Sequence, residues 1–167
     1  ETTEISLDAS GGILVGSLSS ASNTNLTSGE SIVTADITAG TSISMTAAGS
    51  ITVSENLDAY ITAQLEAVDS IETADINAGN VFAASSTGDI ETGSLVSDYT
   101  TSLTAGGSIA TLGIDAGNQV KMTASGNITA GSIVAGTSGT SIETTEISLD
   151  ASGGILVGSL SSASNTN

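Results

Sequence analysis

The sequence predicts an all-β chain wound as a right-handed parallel β-helix (β-solenoid), with coils of about 19 residues and seven coils per 142-residue unit. Three observations carry this. Residues 1–25, ETTEISLDASGGILVGSLSSASNTN, recur letter for letter at 143–167, an offset of 142 residues. Inside that unit an Ile follows a short polar or Gly-containing pair at near-constant spacing. Between these Ile residues run short stretches that alternate apolar and polar, the period of a strand with one buried face.

The first column is Ile13, Ile32, Ile51, Ile71, Ile90, Ile109, Ile128 and Ile155, at steps of 19, 19, 20, 19, 19, 19 and 27. These Ile residues are the expected core ladder. Five residues further on comes a second apolar position: Leu18, Ile37, Ile76, Leu95, Ile114 and Ile133. The third coil interrupts it, with Asn56 at that place and Leu57 beside it. A small residue follows, often Gly (Gly40, Gly79, Gly117, Gly136), and then an alternating run. Ile43-Ser-Met45-Thr-Ala47, Val120-Lys-Met122-Thr-Ala124 and Ile147-Ser-Leu149-Asp-Ala151 are the clearest of these runs. Constant spacing assigns Phe82 to the core place of Ile43 and Val120, and puts Lys121 outside. It also puts Tyr60 and Tyr99 at equivalent places two coils apart, as partly buried corner aromatics or, alternatively, as a lateral contact on one edge. The step of 27 fits a coil of 19 plus an insertion of about eight residues near Ser138 to Thr145, a loop that would decorate the rod once per unit.

A coil of this length cannot bury its own apolar side, so stacking must supply the core. Ile, Val, Thr, Ser and Gly without a 3.6-residue period argue against helix. The absence of Pro suits a ladder in which every N–H is used. Right-handed crossover is the rule for parallel strands. Residues 1–142 thus form one full unit, with coils starting near 11, 30, 49, 68, 88, 107 and 126, and 143–167 begin the next. Seven coils rise roughly 34 Å at the strand spacing. Glu1 is not an initiator Met, and neither end carries a cap, so the chain reads as a window on a longer array.

Composition excludes most chemistry. The chain has no His and no Cys, one basic residue and a net charge of −17. A catalytic triad, a thiolate nucleophile and an ordinary zinc or haem site all lack their residues. One Lys and no Arg leave no electrostatic footprint for nucleic acid. Paired carboxylates could suggest glycoside hydrolysis. The chain has only Lys121 to hold an acidic sugar, so no enzyme is expected and no catalytic residue is assigned. No apolar stretch reaches the ~18 residues of a membrane span, and no signal peptide is visible. Hydrophobic residues make up 38% and mean hydropathy is +0.29, so the chain has material for a core despite its Ser, Thr and Gly.

Segments such as Leu103-Thr-Ala-Gly-Gly-Ser-Ile109, Met122-Thr-Ala-Ser-Gly-Asn-Ile-Thr-Ala-Gly131 and Ser148-Leu-Asp-Ala-Ser-Gly-Gly-Ile155 resemble filamentous-haemagglutinin-type repeats. That family comprises large secreted bacterial adhesins exported by the two-partner route. The resemblance implies a right-handed parallel β-helix and a rod-like protein that is extracellular or on the bacterial cell surface. The near-identical 142-residue units shift the expectation from a receptor-gripping adhesin toward a structural fibre. The alternative is the stalk of an adhesin or toxin-delivery protein whose tip lies outside this window. The expected partners are further copies of the repeat, end to end, with lateral bundling of like fibres.

Two kinds of surface site follow from the residues. Asp36, Glu55 and Asp75 fall at one outward position in three successive coils. Carboxylates stacked about 4.8 Å apart repel unless a hard cation lies between them, which makes them candidate Ca²⁺ ligands. The GGxGxDxUx motif of calcium-binding nonapeptide repeats is absent. Asn25-Leu-Thr27 and Asn127-Ile-Thr129 match the N-glycosylation pattern, with stacked Asn at a turn as the structural alternative. Apart from Ca²⁺, no cofactor is expected.

Overall fold

The computed structural model describes residues 3–136 and 145–163. Among them are eighteen strands and no helix, and every strand pairing is parallel. The chain is a β-solenoid whose coils each place three short strand segments on three stacked sheets.

The first sheet holds β2 (Ile13–Leu14), β5 (Ile32–Thr34), β8 (Ile51–Val53) and β10 (Ile71–Thr73). It continues in the leading halves of β12 (Ile90–Ser97), β14 (Ile109–Ala116), β16 (Ile128–Ala135) and β18 (Ile155–Ser162). The second sheet begins with β3 (Leu18–Ser20) and β6 (Ile37–Ala39). The leading parts of β9 (Leu57–Ala67) and β11 (Ile76–Ser85) follow, then the trailing halves of β12, β14, β16 and β18. The third sheet contains β1 (Ile5–Ala9), β4 (Thr24–Ser28) and β7 (Ser42–Ala47). The trailing parts of β9 and β11 come next, then β13 (Thr100–Ala105), β15 (Gln119–Ala124) and β17 (Glu146–Ala151).

The Ile ladder is in register from end to end: Ile13 on Ile32, Ile32 on Ile51, Ile51 on Ile71, Ile71 on Ile90, Ile90 on Ile109, Ile109 on Ile128 and Ile128 on Ile155. Ile13 to Ile128 are buried. Ile155, in the outermost described coil, is 48% exposed because no described coil covers it. The second column runs Leu18, Ile37, Leu57, Ile76, Leu95, Ile114, Ile133, Leu160. The third sheet contributes Leu26, Met45, Leu65, Ala83, Leu103 and Met122, all buried, with small Ala or Ser at each strand's end. Identical shapes stacked at strand spacing keep contact along the whole axis, so apolar area is buried coil against coil.

The buried Ser and Thr hydroxyls that enter the core are hydrogen-bonded, whereas the Asn118 side-chain oxygen, on the bend before β15, is buried without a partner. Thr24 and Thr101 take places held by Ile or Val in other coils, and each pairs its hydroxyl with a Ser across the bend, Ser20 at 3.0 Å and Ser97 at 2.9 Å. Buried Thr34 and Thr111 donate to the Gly16 and Gly93 carbonyls, at 2.8 and 2.9 Å. Such pairing offsets the cost of burying a hydroxyl.

Two placements read from constant spacing are corrected. Phe82 is not in the core. Val81 pairs with Ala63 and Thr101 in the buried column, and Phe82 points outward in the row of Gln64 and Ser102. The bend before it is one residue short: two residues separate Ala78 from Val81, where three separate Ala59 from Ala63, and the ladder shifts register there. The next bend, 86–89, restores the count with one residue more than the usual three. A one-residue slip moves a side chain to the other face of a strand. Tyr60 and Tyr99 lie on the same bend, between the second and third sheets, but not at equivalent places. Ala59, Ala78 and Ser97 share a column, so Asp98 corresponds to Tyr60 and Tyr99 to Ile61, and both rings are exposed, at 78% and 55%.

Candidate functional site

The outward surface is built by the bends and by the polar half of each strand. The bend that leads into the first sheet carries a ladder of side-chain-to-backbone hydrogen bonds. The Ser31 hydroxyl accepts from the Ser50 amide at 3.1 Å, and the Ser50 hydroxyl from the Ser70 amide at 3.4 Å. Further along, Asp89 Oδ1 accepts from the Ser108 amide at 2.6 Å, the Ser108 hydroxyl from the Asn127 amide at 3.1 Å, and Asn127 Oδ1 from the Gly154 amide at 2.8 Å. Each of these rungs ties one coil to the next at a position outside the strand ladder. Short polar residues do this because they reach a neighbouring backbone N–H without leaving the bend.

This ladder accounts for Asn127, whose side-chain oxygen is one of its rungs. Asn25 lies in the outward row of β4, and its side-chain amide donates to Glu4 Oε1 at 3.1 Å. In both N-glycosylation patterns the middle residue, Leu26 or Ile128, is buried core.

The three candidate Ca²⁺ ligands do not share one position. Ile37 stacks on Leu57 and Leu57 on Ile76, so the residue in register with Asp36 and Asp75 is Asn56, not Glu55. The third coil has one extra residue in this bend, which is why the Ile step there is 20, and Glu55 is displaced to the exposed turn. Asp75 Oδ1 accepts from the Ser94 amide at 2.7 Å, a rung between coils. Among the described residues no three acidic side chains are grouped so as to hold a metal ion. The directly stacked acidic pair is Glu72 on Glu91, in the outward row of the first sheet, a pair that residue spacing alone had not singled out. Most of the insertion near Ser138 to Thr145 lies outside the described residues. Thr145 itself donates to the Ala163 carbonyl at 2.6 Å.

Shallow depressions mark the second and third sheets. One, about 330 Å³, is lined by Thr38, Asp58, Tyr60, Asn77 and Asp98 at the bend between those sheets. Another, about 170 Å³, lies against Phe82, Gln64 and Glu66. Lys121 is exposed on β15, stacked between Ser102 and Ser148.

Together these features define a β-solenoid repeat protein with a hydroxyl- and carboxylate-rich coat. Comparison with protein-family models, curated proteins and solved structures found no match to the chain.

Proposed function

We propose that this chain is part of an extracellular or cell-surface structural fibre, in which 142-residue units continue end to end. One observation carries the reading: the repeated 25-residue segment stacks on both of its sides. As residues 1–25 it is covered by the coil above, Ile5–Ala9 by Thr24–Ser28 and Ile13 by Ile32. In the second copy, over the described residues 145–163, it covers the coil below, Ile147 on Val120, Ile155 on Ile128 and Leu160 on Ile133. A unit junction in which a further copy takes the place of residues 1–25 would continue the same core columns. The step of 27 is thus compatible with a continuous ladder.

Such a rod works mechanically and colloidally. Stacked strands and the Ile, Leu and Val columns resist bending along the axis. Residues 1–142 hold fifteen Asp or Glu and one Lys, so over ~34 Å the rod carries about one net charge per 2.4 Å. That density keeps like rods apart at low salt and hydrated. Lateral bundling would then require screening or divalent cations.

The stalk of an adhesin or toxin-delivery protein is the second reading, favoured by the haemagglutinin-like Thr-Ala-Gly-Gly-Ser-Ile and Gly-Asn-Ile-Thr-Ala-Gly segments. Electron microscopy of native material tests the fibre. A layer line near ~4.8 Å with a longer repeat near ~34 Å is expected, together with protease shaving of the rod from intact cells. Short discrete particles lacking that spacing, or a protein protected inside intact cells, overturn it.

A further inference from the structure

We propose that the bend between the second and third sheets, in coils three to five, is a docking site for a cationic polypeptide segment carrying Lys or Arg side chains. The chain has two Tyr and one Phe. All three are on the outside, Tyr60 at 78%, Phe82 at 39% and Tyr99 at 55% exposure, and all three fall within three successive coils. Core packing accounts for none of them, since the columns beneath are filled by Ile, Leu, Ala and Val. Ile61 and Val96 add exposed apolar surface to the same region.

Each aromatic next to a depression has acid beside it. Asp58 and Asp98 line the ~330 Å³ depression with Tyr60, and Glu66 lines the ~170 Å³ depression with Phe82. An aromatic face beside a carboxylate suits a guanidinium or ammonium: the ring attracts the cation and the carboxylate takes its N–H groups. The exposed apolar carbon accepts the aliphatic stem of such a side chain. One depression at the bend and a second on the third sheet beside it offer places to two cationic side chains of one segment. Charge selects this occupant over a second copy. With a net charge of −17 and its one Lys on β15 of the sixth coil, another copy brings like charge to this face.

The test titrates the full chain with a hexa-arginine peptide at about 0.15 M salt, where long-range attraction is screened. Tyr60→Ala and Asp98→Asn alter exposed groups, and melting curves check that both variants fold. Each should weaken binding about twofold to fivefold. Glu91→Gln, with the same charge change on the first sheet, should leave affinity unchanged. Equal affinity in all variants would mean binding to the rod's overall charge and overturns the site. No peptide binding at this salt overturns it too, as does self-association abolished by Tyr60→Ala, or capture at the bend of a neutral oligosaccharide in place of the peptide.

Discussion

Close approach between coils is set by single residues at the bends. A Cβ on Gly106 would meet the Ser86 carbonyl oxygen at 2.2 Å, and the carbonyl carbon at 2.7 Å. Both are backbone atoms of a residue whose amide is tied to the Ala67 carbonyl at 3.1 Å, so relief requires moving the bend's backbone. Gly106→Ala should therefore destabilise the fold by about 1–3 kcal/mol, read from denaturant unfolding. Gly11, with nothing within 4 Å of the same added carbon, is the control. Gly11→Ala should change stability by about 0.5 kcal/mol or less. In the Ile column, Ile71 is fully buried between Ile51 and Ile90. Ile71→Ala should cost about 2–5 kcal/mol. Leu14, 81% exposed on the outward side of β2, should tolerate Ala within about 0.5 kcal/mol.

At the scale of the strand, register decides which residues are core. The fourth coil has a shortened bend at 79–80, which turns Val81 inward and Phe82 outward. Val81→Asp places an unpaired charge in the column between Ala63 and Thr101, and the chain should then fail to give a cooperative melt. Phe82→Ser should melt within a few degrees of the parent, a shift of about 0.5 kcal/mol or less. The reverse pattern would restore the constant-spacing register. The third coil makes the same point at another bend, where the extra residue brings Asn56, not Glu55, between Asp36 and Asp75. The Ile columns were legible because in every coil Ile follows a short polar or Gly-containing pair at near-constant spacing. The faces of residues just past a bend were not, since a bend of two residues and one of three look alike in composition.

For the whole rod, charge and stacking set the response to solvent. Like charges along the axis oppose the compact state, and raising salt from about 10 mM to about 150 mM shortens the Debye length from ~30 Å to ~8 Å. The melting temperature should rise over that interval. A fall would show that surface repulsion is not what limits this coat. A chain carrying two full units should remain a single rod in small-angle scattering and be longer by ~34 Å. Two jointed particles would mean that the unit junction is a hinge and not a continuous ladder.

Coil length, the Ile and Leu columns, the segment repeated at an offset of 142 residues and the acidic composition were all readable from the residues in order. Each rests on local spacing or composition, and strand alternation converts spacing directly into an inner and an outer face. The length of each bend, and with it the outward turn of Phe82, the displacement of Glu55, the stacked Glu72 and Glu91, and the aromatic surface at Tyr60, depended on stacking. A bend has no period of its own. Its residues take their places only when the backbone N–H and C=O groups of one coil pair with those of the next, and that pairing joins residues 18, 19, 20 or 27 positions apart.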